Sequence, residues 1–224
     1  MAILEMQAVT REYHKGEQVV HALRGVDLTI EKGAFLSIVG PSGSGKSTLL
    51  NIIGCLDSPT GGEVVYNGTL LGSMSENALA DYRKNHIAFI FQSYNLIPVL
   101  TVRENVELPL VIEKKWSRDQ MREKAMAVLK AVELDSMAER LPKELSGGQE
   151  QRVAIARALV KQPLVVLADE PTANLDSRTG HDVLMLLRNL AEQAGKAVAI
   201  VSHDIKAQDA AHRTIVLEDG RITT

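Results

Sequence analysis

Cysteine is almost missing from this chain: Cys55 is the only one among 224 residues, so no disulfide can form within it. A thiol-bearing protein of a reducing compartment is the expectation, with Cys55 as a small core residue. Long apolar runs are missing too, and no segment approaches the roughly 20 residues that cross a bilayer. Met1 to Tyr13 carries Glu5 and Arg11 where a signal peptide would have its apolar core, so any work at a membrane is expected to depend on another subunit. Neither sign of charge is in excess: 25 Lys and Arg stand against 28 Asp and Glu, a formal net charge of -3. That balance offers nucleic acid no general attraction, and none is expected as a partner. The sequence has no sustained heptad tract, internal repeat or low-complexity stretch, which argues against a coiled-coil or solenoid architecture.

What is present is ordinary globular material, 45% hydrophobic and 24% charged, in a length that suits one domain with room for an inserted subdomain. Val, Leu, Ile and Thr dominate from Ile3 to Ile30, with a polar interruption at His14 to Gln18, and predict strands joined by a turn. A buried strand follows over 34–39, then a glycine-rich stretch and a helix from Lys46 to about Gly54. Glu63 to Tyr66 and the Asn67-Gly68 turn predict an antiparallel hairpin, and 87–91 a further buried strand. Between Thr101 and Lys161 the apolar spacing becomes helical. Strands then alternate with helices: strand 164–168, helix 179–194, strand 197–201, helix 205–211 and strand 214–218. Such alternation predicts an α/β fold with a mainly parallel sheet, beside an antiparallel β subdomain and an inserted α-helical subdomain. The expected division is a core over 1–91 and 163–224, with 92–162 as the insertion.

The segment Gly40-Pro41-Ser42-Gly43-Ser44-Gly45-Lys46-Ser47-Thr48 fits G-x-x-x-x-G-K-[ST] between a strand and a helix, the context this P-loop motif requires. Phosphate needs converging N–H donors and close backbone approach, which glycine permits, and the start of the helix adds its positive dipole end. Lys46 would reach the β- and γ-phosphates, and Ser47 would contribute an oxygen to a Mg²⁺ ion held otherwise by phosphate and water.

The apolar run over 164–168 leads into Asp169-Glu170-Pro171, which puts two acids at the carboxyl end of a strand, where open α/β sheets hold ligands. Alone they would read as solvated loop acids. Beside a phosphate loop, Asp169 suits the magnesium ion and Glu170 suits polarisation of an attacking water. A second glycine site, Leu145-Ser146-Gly147-Gly148-Gln149, precedes a helical run, so Ser146 is the expected N-cap at a second helix start able to hold an anion. Both starts can serve one nucleotide only by folding together or by meeting on two copies, and spacing does not choose between these.

A resemblance does choose. The stretch from Leu145 through Glu150-Gln151-Arg152-Val153-Ala154-Ile155-Ala156-Arg157-Ala158-Leu159 resembles the signature segment of ATP-binding cassette (ABC) ATPases. Gln92 resembles the Q-loop glutamine, a ligand of the metal as well as a sensor of the γ-phosphate. Asn174-Leu175-Asp176 resembles the D-loop, His203 the H-loop switch, and Tyr13 the aromatic that stacks on adenine. The resemblance implies a P-loop NTPase core of the RecA-like kind that hydrolyses ATP. It also implies a head-to-tail dimer in which Ser146, Gly147, Gly148 and Gln149 of one copy cap the nucleotide held by the other. A transmembrane permease would be the partner, with the cassette cytoplasmic and peripheral on the membrane. The stretches 53–62 and 167–176 resemble most the lipoprotein-releasing and macrolide-exporter branch, the LolD and MacB type. An ATP-gated regulatory module, pulling on a membrane protein without moving cargo, is the alternative. Glu150 departs from the Gln common at this position; an acid there suits the helix dipole but adds repulsion toward a γ-phosphate. The helical insertion and the Gln92 loop, with Leu96-Ile97-Pro98-Val99-Leu100 exposing apolar side chains, are the expected docking surface for a permease; the plainer alternative is that this segment packs its own core.

Overall fold

A computed structural model describes residues 1–16 and 18–223. Two long strands, β1 (Ala2–Lys15) and β2 (Gln18–Glu31), pair antiparallel; Glu17, in the expected turn between them, lies outside the described residues. With β4 (Gly61–Tyr66) and β5 (Thr69–Leu70) they form a sheet in the order β2-β1-β4-β5. Asn67 and Gly68, at φ 47° and 78°, make the tight turn between β4 and β5.

The second sheet carries the chemistry. Its strands are β3 (Phe35–Val39), β6 (Ile87–Ile90), β7 (Val165–Asp169), β8 (Ala197–Val201), β9 (Arg213–Glu218) and β10 (Arg221–Ile222). They lie in the order β10-β9-β3-β8-β7-β6, all parallel except β10. The helices are α1 (Lys46–Ile53), α2 (Glu76–His86), α3 (Val102–Glu113), α4 (Arg118–Ala131), α5 (Gly147–Leu159), α6 (Ser177–Ala194) and α7 (Ile205–Ala210). All five residues of β8 are buried, as a central parallel strand covered on both faces must be.

Two apolar cores result. One joins the antiparallel sheet, α1 and one face of the parallel sheet through Leu28, Ile38, Leu49, Tyr66 and Leu167. The other joins α3, α4, α5 and α6 to the opposite face through Phe35, Val106, Leu129, Ile155, Val166 and Leu187. The helical run from Thr101 divides into three helices with real caps. Thr101 and Glu104 form a capping box at α3, Ser117 and Gln120 another at α4, and Ser146 and Gln149 a third at α5.

Candidate nucleotide and hydrolysis site

Register decides what meets at the carboxyl edge of the parallel sheet. Val201 of β8 pairs with Ile38 of β3 on one side and with Asp169 of β7 on the other. The phosphate loop after β3, the acids ending β7 and His203 after β8 therefore emerge side by side, although 33 residues or more separate each from the next in sequence. The glycines of the loop are required by their surroundings. Gly40 has φ 150°, and a Cβ there would lie 2.0 Å from the Leu217 carbonyl oxygen; Gly45 has φ 104°, and its Cβ would lie 2.4 Å from the Ala22 oxygen. Gly45 is also the N-cap of α1, so the first N–H groups of that helix open onto the loop.

Lys46 is 7% exposed, and its ammonium donates to the carbonyls of Gly40 and Pro41, 2.8 Å each. Those carbonyls belong to the loop itself, so the cation is held at the mouth of the cradle it serves. Pro41, Ser42, Gly43 and Ser47 are exposed there, Thr48 is half-buried, and the buried Ser44 hydroxyl has no partner among the described residues. Burial raises the Asp169 carboxyl above the ordinary carboxylate range, and the nearby positive charge of Lys46 opposes that rise.

Glu170 sits at φ 48°, a left-handed conformation that costs a non-glycine residue about 1–3 kcal/mol and is retained where the surroundings over-determine it. Its N–H donates to the Val201 oxygen at 2.9 Å. Its Oε1 is buried without a hydrogen-bond partner among the described residues, and His203 Nε2 stands 3.4 Å away, a contact too long for a strong bond. Glu170, His203 and Gln92 line one open cleft of about 620 Å³. The backbone oxygen of Gln92 accepts from the Asn174 amide at 3.1 Å, which ties the segment after β6 to the segment after β7.

The other residues lie apart from this cleft. Asp176 caps α6, its carboxylate accepting from the N–H groups of Arg178 and Thr179, and the hydrogen bonds at Thr179 hold it below the usual range. Ser146 Oγ accepts from the Gln149 N–H at 3.4 Å while Gln149 Oε1 accepts from the Ser146 N–H at 2.9 Å, the expected cap. Ser146 is exposed, Gly147 packs toward Tyr94 and Leu175, and Gly148 is buried against Thr179 of α6. Among the described residues no hydrogen bond or ion pair joins 146–149 to the loop 40–48. Glu150 lies in the first turn of α5, and burial raises its carboxyl. Tyr13 has one ring face covered by the Arg11 guanidinium, 4.7 Å from the centroid, and its hydroxyl donates to Asp57 at 2.7 Å.

The apolar docking expectation needs correction. Of residues 96–100 only Val99, 78% exposed, is a large apolar side chain open to solvent. Leu96 packs on the helical core, and the buried Asn105 amide grips the segment, accepting from the Ile97 N–H and donating to the carbonyls of Ile97, Leu100 and Thr101. A loop needs its backbone groups satisfied, and here Asn105 satisfies them while Leu96, Ile97 and Leu100 are half-buried and Pro98 and Val99 stay exposed. Sequence reasoning gave no role to Asp57, or to Gln151, whose buried amide donates to the Pro171 oxygen at 2.8 Å. It also passed over the grip of Arg157 on the carbonyls of Tyr94 and Asn95. All three are contacts made across the fold.

A strand, glycine loop and helix, with paired acids at the end of the next strand but one in the sheet, define the site of a P-loop nucleoside triphosphatase. Comparison with known proteins refines this. The family model of the ABC transporter matches residues 23–173. The chain is 48% identical over 223 residues to an uncharacterized ABC transporter ATP-binding protein, MJ0796, of Methanocaldococcus jannaschii, covering 98% of this chain and 95% of that one. The macrolide export ATP-binding/permease protein MacB of Brucella melitensis is 42% identical over 220 residues, 98% of this chain but 34% of the longer relative. Among solved structures, dimeric MJ0796 in a post-hydrolysis state bound to ADP and Pi matches with TM-score 0.88 at 47% identity, covering 99% of this chain and 97% of that one. The cbiO1 protein of Clostridium perfringens, part of the ABC transporter complex cbiONQ, matches with TM-score 0.90 at 28% identity, covering 100% and 87%. The chain belongs to the ABC transporter family, as one of its ATP-binding ATPase cassettes. No helix among the described residues is long and apolar enough to cross a membrane.

Proposed function

We propose that this cassette binds MgATP, closes head to tail on a second copy of itself, hydrolyses the nucleotide and drives a separate permease of the MacB type. The observation that carries the dimer is the separation of two phosphate-grade helix starts on one chain. The phosphate loop opens beside Asp169, Glu170 and His203, whereas the Ser146 cap stands elsewhere with no bond to it. A second copy supplies the missing cap. Dimeric MJ0796, with 97% of its chain covered by this one, supports the same reading.

The chain's own residues fit the group. A buried ammonium bonded only to loop carbonyls, an unpartnered Ser44 hydroxyl and glycines that admit no side chain suit a triphosphate. Among the described residues no cluster of three or more His, Cys, Asp or Glu stands ready to hold a metal, so Ser47, Asp169 and Gln92 would hold Mg²⁺ together with phosphate oxygens and water. That ion supplies neutralisation of phosphate charge. Lys46 turns from its two carbonyls to the β- and γ-phosphates, while Tyr13, fixed by Arg11 and Asp57, offers its ring to adenine. Glu170 Oε1 takes a proton from the attacking water, since it is buried, has no hydrogen-bond partner among the described residues and is held by a strained backbone. His203 and Gln92 face the same cleft and position the γ-phosphate. Ser146 to Gln149 and Asp176 act on the partner's nucleotide.

The permease would dock on a groove of about 200 Å³ between β6, α3 and α5, where Phe89 and Pro109 offer apolar contact and Arg157 and Lys161 offer charge. Within that assembly the cassette is cytoplasmic, and 92–162 is the insertion that carries the cap and, through Pro109, Arg157 and Lys161, one wall of the groove. The test is Glu170→Gln. MgATP binding persists, single-turnover hydrolysis falls about 10²-fold or more because the base is lost while the cradle stays, and sedimentation shows an ATP-dependent dimer. Normal single-turnover hydrolysis, or a strict monomer with bound MgATP, removes the proposal.

A further inference from the structure

We infer that Gln151 is a positioning residue for hydrolysis: it ties the start of the signature helix α5 to the loop that carries Glu170 in the same chain. The inference rests on Glu170 as the base.

Gln151 lies two residues beyond the Gln149 that closes the Ser146 cap, and it is completely buried. Its Nε2 donates to the carbonyl oxygen of Pro171, 2.8 Å away and next to Glu170 in sequence. The Glu170 loop is thus held from two sides: the Glu170 N–H is bonded to Val201 of β8, and the Pro171 carbonyl to α5. A residue kept at φ 48° needs such restraint, because relaxation to an ordinary conformation would swing the carboxylate out of the cleft.

The other end of the amide identifies the purpose. Gln151 Oε1 is buried with no partner among the described residues. A buried amide with half its hydrogen bonding unmet is a poor stabiliser, and an apolar residue of the same shape would serve packing as well or better. What the apolar residue cannot do is hold the Pro171 carbonyl. The same helix start presents Ser146 to the partner's nucleotide, so a shift of α5 on closure reaches this chain's Glu170 through one hydrogen bond. Each copy thereby receives, at its own hydrolytic carboxylate, the state of the site that it caps on the other.

The experiment is Gln151→Met, which keeps volume and removes the donor. Its thermal midpoint stays equal to or above that of the parent, MgATP affinity stays within about two-fold, and kcat falls about 10-fold or more, as misplacement of a reacting group does. A drop in midpoint with unchanged kcat makes Gln151 merely structural and overturns the inference, as does kcat within about two-fold of the parent. Gln151→Leu repeats the measurement should the methionine variant fold poorly, and failure of both to fold overturns it as well. In a Glu170→Gln background, Gln151→Met adds no further slowing, because its effect passes through Glu170; additive losses overturn the inference. If Glu170→Gln alone hydrolyses normally, the assignment of the base has failed instead, and the two failures are told apart.

Discussion

Gly148→Ala examines how the signature helix is seated. A Cβ at Gly148 would lie 2.0 Å from Thr179 Cγ2, with Thr179 Cβ at 3.5 Å and Oγ1 at 3.8 Å. Only one methyl group obstructs, but it cannot swing aside freely, because threonine is β-branched and a helix leaves its χ1 few alternatives. Forced overpacking of this kind costs about 1–3 kcal/mol, and alanine in a helix returns up to about 1 kcal/mol over glycine. Taking the overpacking at about 2 kcal/mol and the return at up to about 1, the net destabilisation is about 1–2 kcal/mol, or a melting midpoint lower by about 2–8 °C for a domain of this size. ATPase activity falls more than stability, since relief of the clash moves Ser146 and its cap. The check is a double substitution: Thr179→Ser removes the offending methyl, so Gly148→Ala with Thr179→Ser regains most of both the midpoint and the turnover. Thermal denaturation followed by circular dichroism, with phosphate release measured on the same samples, reads both. If Gly148→Ala melts with the parent protein, or the serine gives no recovery, the steric argument is wrong.

Two further outcomes are expected. Lys46→Ala removes the charge proposed to reach both phosphates and is expected to weaken MgATP binding or turnover by at least about 10-fold in fluorescent-nucleotide titration, whereas unchanged affinity and kcat contradict that role. Glu113 is nearly buried; burial pushes its carboxyl up, but hydrogen bonds from Lys115, Trp116 and Lys161 prevail and bring it down to about 2. Its folded value is depressed, so its contribution to stability is present above the unfolded value of about 4.3 and is lost as pH falls toward 2. Glu113→Gln should therefore melt below the parent protein at pH 7, with the gap closing between about pH 4 and pH 2; a gap independent of pH in thermal scans refutes this.

Some elements were beyond local reading. Helix α2 fully buries none of its residues and lays only Leu79 and Tyr82 against the core, too short a stripe for periodicity to detect, and only the Ser75 cap marks its start. The exposure expected of residues 96–100 holds for Pro98 and Val99 but not for Leu96, Ile97 and Leu100, because Asn105, further along the chain, fixes how the segment turns. Gln151, Asp57 and Arg157 look like any other polar residues in sequence; their partners lie 20, 44 and 62 residues away or thereabouts.

By itself the sequence determined the pieces whose chemistry is local. The phosphate loop depends on backbone freedom at Gly40 and Gly45 and on a helix that starts at Lys46, and the α5 cap on two side chains three residues apart. Only the tertiary structure decided which pieces meet. The insertion of β8 between β3 and β7 brings Lys46, Asp169, Glu170 and His203 to one edge, while α5 turns Ser146 away from it. Strand order follows from which apolar faces pack across the whole chain, and packing of residues far apart in sequence leaves no short pattern to read.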